Sequence, residues 1–221
     1  MKSSIVVLLA LLGVPAVAAA HPHIWISQHV RPIVTDGKFT ALELEWRFDP
    51  MSSEIEIPPI DEDKDGKISE EETLSIAADT LPQLQKAGFM TWLNTGGKDF
   101  HPTKLPTFTL RIDDPASFTP PDWDHNAGDP DAGRPMPPNK RVEPPQSTHG
   151  PRNLVYTMRF ELPQPTKFLT VTTYEPDDYI RYEVDKASVP KDCKLDKHPT
   201  YKSEYVPGHP VFADRVSCRL P

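Results

Sequence analysis

The sequence predicts a mainly β domain with a helical insert (α+β), built as an antiparallel β-sandwich or an open sheet. Three observations carry that prediction. Short runs of strict apolar–polar alternation recur along the chain, which is the period of a half-buried strand. One stretch only combines helical spacing with start and stop signals. The 27 prolines in 221 residues crowd outside those runs, where turns and loops are expected.

The chain opens with a secretory pattern. Lys2 supplies a positive start, Ile5 to Val14 an apolar run, and Ala18-Ala19-Ala20 the small residues of a cleavage site. The run is too short to span a bilayer, and no later stretch is apolar enough to do so. The expected product is a signal peptide over 1–20, cleaved after Ala20, and a single β-rich domain over 21–221; an uncleaved N-terminal anchor is the alternative. The first strand begins near Ile24, and Asp36-Gly37 sits between two β-prone runs as a hairpin turn. In "ALELEWRFD", Leu42, Leu44, Trp46 and Phe48 fall on one face and Glu43, Glu45 and Arg47 on the other. Equivalent stripes are Phe108, Leu110, Ile112, then Leu154, Tyr156, Met158, Phe160, Leu162, then "KFLTVTTY", and last Ile180, Tyr182, Val184. The helix opens at Ser69, with Glu72 three places on as a capping box, and carries Leu74, Ala77, Ala78 and Leu81 at helical spacing. Gly88 ends it, and Pro82 is expected to kink or divide it. Residues 113–152 hold ten prolines with almost no periodicity, a long, partly disordered insertion between two strands, with an ordered polyproline arm as the alternative.

Composition narrows function. The formal charge is −8, and −9 once Lys2 leaves with the signal, which argues against nucleic acid as a partner. Cys193 and Cys218 are the two cysteines of a chain bound for an oxidising compartment. A disulfide is therefore expected, and their spacing matches no zinc motif. It would contribute about 3 kcal/mol in the chain-entropy description.

The most specific motif is "DEDKDGKISEEE", residues 61–72, an EF-hand-like loop. Asp61, Asp63 and Asp65 stand at loop positions 1, 3 and 5, and Gly66 at the sharp turn of position 6. Lys67 offers a backbone carbonyl at 7, Ile68 fills the apolar position 8, Ser69 stands at the water-mediated position 9, and Glu72 is the bidentate carboxylate at 12. Hard oxygens at these spacings suit Ca²⁺. A solvated acidic turn ahead of a helix is the alternative. Pro58-Pro59 just before the loop predict a broken or missing first helix, hence a structural site with a dissociation constant of roughly 10⁻⁴ to 10⁻³ M rather than a sensor.

"HPHIW" raises a second metal question. Cleavage after Ala20 would give His21 a free α-amine beside its imidazole, and His21, His23 and Trp25 share one face of an extended strand. Borderline ions such as Zn²⁺, Ni²⁺ and Cu²⁺ favour an amine and imidazoles. The square-planar amino-terminal copper and nickel motif is excluded, because Pro22 has no amide hydrogen to lose. A histidine-brace-like pair remains, closed by His23 or by a distant histidine. His101, His198 and His209, each followed by proline, are the candidates ahead of His29, His125 and His149. The alternative is a frayed strand end with no metal.

Taken in order, the signal, "HPHIW", "EWRFDP", the 61–72 loop, "YEPDDYIRYEV" and a late cysteine resemble the domain-of-unknown-function 1007 family of exported bacterial proteins. The resemblance spans most of the mature chain, with 113–152 as an addition. It implies a periplasmic accessory role in zinc, nickel or cobalt transport, with a membrane metal transporter or another periplasmic protein as partner, and it brings no established activity. The leading expectation is a periplasmic metal-binding accessory with calcium at 61–72 and a transition metal at His21 and His23. The alternatives are a calcium-stabilised interaction module without transition metal and, third, a histidine-brace copper oxidase. No Ser-His-Asp or paired-carboxylate constellation is argued by spacing.

Overall fold

A computed structural model describes residues 24–114, 118, 152–177, 179–206 and 209–221. The signal expected over 1–20, His21, His23 and nearly all of the proline-rich 113–152 segment lie outside the described residues.

Two sheets face each other. The first has five strands in the order β4-β5-β2-β1-β7, and the second has four in the order β3-β6-β9-β8. Strand β1 (Ile24–Thr35) and β2 (Lys38–Phe48) form the expected hairpin, with Asp36 and Gly37 both at positive φ in its two-residue turn. Helices α1 (Pro50–Ile60) and α2 (Glu70–Lys86) follow, then a 3₁₀ turn at Gly88–Met90, β3 (Thr91–Asn94) and β4 (Thr107–Asp113). Strands β5 (Asn153–Thr166), β6 (Phe168–Thr173) and β7 (Ile180–Val184) come next, then the hairpin of β8 (Cys193–Val206) and β9 (His209–Arg219). The 113–152 segment joins β4 to β5, whose paired ends are Asp113 and Asn153. In sequence it lies between these two strands.

The alternating stripes turn inward. Leu42, Leu44, Trp46, Leu154, Met158 and Phe160 of the first sheet meet Leu169, Val171 and Val216 of the second, all nearly inaccessible to solvent. Each such side chain contributes about 1.5–3 kcal/mol of burial, so the sandwich core outweighs any surface ion pair. Phe89, from the 3₁₀ turn, meets Phe160 edge-on at 5.0 Å. A buried hydrogen bond links the two sheets, from Gln28 Nε2 to Thr173 Oγ1 at 2.6 Å.

Several details depart from the sequence reading. β7 pairs with β1 in parallel, the one parallel pairing among the described strands. The β8–β9 hairpin, which carries no clean alternation, was not expected. It holds the Cys193–Cys218 disulfide directly across its register, with Cα atoms 4.1 Å apart. On α2, Leu74 is 63% exposed and Ala78 faces solvent, while Leu81 is buried and Ala77 and Leu84 pack on the core. α2 also runs on through Pro82 as one element. Pro82 and Ala78 are both exposed, so the carbonyl that loses its intrahelical partner can bond to water.

Candidate metal centre

The 61–72 loop is held between two capped helices. Asp49, at the end of β2, accepts hydrogen bonds from the Ser52 amide (2.9 Å) and hydroxyl (2.6 Å) and from the Trp25 amide (3.0 Å). Pro50 follows at the first helical position, where its missing amide costs nothing. Ile57 and Ile60 are buried, and the Ser53 hydroxyl accepts the Leu154 amide at 2.9 Å, so α1 is docked on β5.

A helix therefore does precede the loop, which corrects the expectation drawn from Pro58-Pro59. Both prolines sit in its last turn on an exposed face, and the helix still closes with the Asp61 amide bonded to the Ile57 carbonyl at 2.9 Å. The second helix begins at Ser69 with both halves of the capping box in place.

Within the loop, Asp61, Asp63 and Asp65 each offer a carboxylate oxygen, and these oxygens lie within 4.8 Å of one another. The backbone arranges them. Asp61 Oδ2 accepts the Gly66 amide at 3.1 Å, Asp63 Oδ1 the Asp65 amide at 3.0 Å, and Asp65 Oδ1 the Lys67 amide at 2.8 Å. Gly66 has φ +82°, a conformation that favours glycine at this turn. Asp63 and Asp65 are exposed, but Asp61 is 3% exposed and its Oδ1 is buried without a hydrogen-bond partner. A buried carboxylate oxygen left unpaired is costly, and a bound cation removes that cost.

Glu72 is not part of the aspartate group. Its Oε1 accepts the Glu62 amide (2.7 Å) and its Oε2 the Ser69 amide (2.7 Å) and hydroxyl (2.8 Å). These bonds, those from Ser69 foremost, hold its carboxyl below the ordinary value. Lys67 contributes its amide to Asp65, and Ser69 is spent on the cap. The donor set thus fits a hard cation at three carboxylates, with Glu72 next to it on the α2 side of the loop.

The histidines divide by tautomer. His101 Nδ1 lies 2.8 Å from the Thr91 carbonyl, which only accepts, so Nδ1 carries the proton and Nε2 keeps its lone pair. Its ring packs so tightly over Gly88 that a Cβ there would come within 2.4 Å of Nδ1. His198 is the reverse case. Its Nδ1 accepts the Thr200 and Tyr201 amides at 3.2 and 2.9 Å, which leaves the proton of the neutral ring on Nε2. Neither nitrogen of that tautomer is open to a metal. His209 pairs with Val206 at the hairpin tip, and its side chain lies outside the described ones.

His29 sits in a charge network on the outer face of the first sheet. Its Nδ1 is 3.4 Å from Glu45 and its Nε2 3.2 Å from Asp185, on opposite sides of the ring. Burial pushes His29 below its ordinary value. Glu45 also takes Arg111 at 2.6 Å and Arg47, and Arg111 in turn holds Asp113 at 2.8 Å. Glu45 and Asp113 of this network already have arginine partners.

Sequence reasoning missed an aromatic group across β3, β6 and β8. Trp92 lies 4.5 Å from the His101 ring, 5.6 Å from Tyr174 and 5.1 Å from Tyr201, and His198 stacks on Tyr201 at 3.9 Å. These residues are far apart in sequence, and no local pattern announces them.

Among the described residues, no helix is long and apolar enough to cross a membrane. No curated protein and no solved structure matches the chain. The model of one family, a protein of unknown function designated DUF1007, matches residues 6–207. With most of its length covered, the chain belongs to the DUF1007 family.

Proposed function

We propose that this protein is a non-catalytic, extracytoplasmic metal-binding accessory, with Ca²⁺ in the 61–72 loop and a transition metal (zinc, nickel or copper) at the N-terminal His21-Pro22-His23. In this reading the signal is cleaved after Ala20, the product is periplasmic or secreted, and its partner is a membrane metal transporter or another periplasmic protein. The observation that carries it is the convergence of the Asp61, Asp63 and Asp65 oxygens around a buried, unpaired Asp61 Oδ1. Calcium there would tie α1 to α2 through a loop that otherwise gathers like charge. For the transition metal, support comes from the His21 and His23 pattern and from the His101 tautomer, whose Nε2 is of the ligand type.

The test is a titration of the processed protein with Ca²⁺, Zn²⁺, Ni²⁺ and Cu²⁺, read by thermal shift and by bound metal. The expected result is one Ca²⁺ lost in Asp61→Ala and one transition ion lost in His21→Ala, with the latter weakening as imidazole protonates. The second reading is a calcium-stabilised interaction module. It is favoured by Met51, Ile55 and Leu74, 61–63% exposed on the two helices of the hand. Calcium binding without any transition ion would select it, and no binding of either would sink both.

A further inference from the structure

A fixed positive charge stands behind the proposed calcium loop. Arg152, immediately before β5, places Nη1 3.7 Å from Asp61 Oδ2, and its side chain is only 13% exposed. Nε and Nη1 are buried and meet no hydrogen-bond acceptor among the described residues. That is an unusual state for a guanidinium, whose donors are normally satisfied when buried. The docking of β5 on α1 through Ser53 and Leu154 carries Arg152 to the end of α1, where Asp61 begins the loop. Lys64 and Lys67 are exposed and belong to the loop itself, so Arg152 is the largely enclosed cation facing the first ligand.

Building on the assignment of calcium to 61–72, we propose that Arg152 is an internal competitor for that ion and sets the affinity of the site. A cation coordinated by Asp61 Oδ1 would lie within about 8 Å of the guanidinium, adding the width of the carboxylate and a typical calcium–oxygen distance to the observed separation at Oδ2. Like charges at that range in a partly dry site repel appreciably. Without calcium, Arg152 offsets part of the charge that three aspartates bring together. With calcium, that compensation turns into a penalty. Asp61 is thus shared between a resident cation and an exchangeable one, which tunes the loop to release calcium more readily than its ligands alone would allow. Arg152 is a positioning residue here and not a ligand.

The experiment is calorimetric Ca²⁺ titration of the full processed chain as wild type, Arg152→Gln and Arg152→Lys, with the calcium-induced rise in melting temperature measured in parallel. Arg152→Gln is expected to tighten binding by about tenfold or more and to enlarge the thermal shift accordingly. Arg152→Lys, which keeps the charge, is expected to stay within about threefold of wild type. If Arg152→Gln does not fold, Arg152→Met is measured in its place. Wild type that binds while the neutral variant binds equally or more weakly overturns the competitor role and leaves the calcium site standing. A lysine variant as tight as the glutamine one overturns it too, because shape and not charge would then be at work. No calcium on any variant removes the calcium site and the competitor together.

Discussion

Two clusters of carboxylates on this molecule are built from the same residue types and are neutralised in opposite ways. On the outer face of the first sheet, Glu45 is held by Arg47, Arg111 and His29, and Asp113 by Arg111. In the 61–72 loop, Asp61, Asp63 and Asp65 face one another with backbone amides behind them and one guanidinium, 3.7 Å from Asp61. The first cluster is complete as it stands and staples β1, β2 and β4. The second gathers charge that the protein only partly offsets, which is the state expected of a site that takes its cation from solution.

That contrast can be broken at either end. The largest expected effect is Glu45→Gln. Removing the acceptor shared by two arginines should cost about 3 kcal/mol by chemical denaturation, at the low end for a buried pair because Arg111 is 40% exposed, and calcium should not restore it. Next is calcium itself. At a hundredfold excess over its dissociation constant it should stabilise the wild type by about 2.7 kcal/mol. Asp63→Ala, an exposed position, should abolish that gain while shifting the calcium-free protein by about 0.5 kcal/mol or less.

Ser69→Ala removes an N-cap and one bond to Glu72, so it should cost about 1 kcal/mol with or without calcium. The smallest effect is on pH dependence. Burial lowers His29 and His198, so the unfolded chain protonates first as pH falls below their ordinary 6.5, and stability declines from there. For Glu45, burial works to raise the carboxyl, but bonds from Arg111 and Arg47 outweigh it and hold it low; its contribution is lost as pH falls below its ordinary 4.5. Denaturation curves from neutral pH to about 3 should show both declines, and His29→Gln should shrink only the first.

The two clusters also differ in how far the sequence reveals them. The loop is contiguous, so the spacing of Asp61, Asp63, Asp65, Gly66 and Glu72 encodes its geometry directly, and the capping box at Ser69 could be read from four residues. The inward stripes of β2, β5 and β7 were legible for the same reason, since a period of two needs no knowledge of the partner strand. What could not be read depends on what lies opposite. Glu45 looks like any outward strand residue until β4 brings Arg111 beside it. The prolines at 58, 59 and 82 look like breaks because sequence alone does not show that all three lie on exposed helix faces. Leu74 satisfies a helical repeat yet lies outside the face that α2 turns to the core. Arg152 is invisible as a partner of Asp61, ninety-one positions away, until β5 docks on α1.

The account rests on the 61–72 loop taking a calcium ion. Native mass spectrometry of the processed chain, stripped with chelator and then supplied with Ca²⁺, addresses it most directly. One calcium per chain, absent from Asp63→Ala, with half-saturation at roughly 10⁻⁴ to 10⁻³ M, is the predicted result. A protein that stays calcium-free at several millimolar would contradict it and leave the aspartates as a solvated turn between two helices.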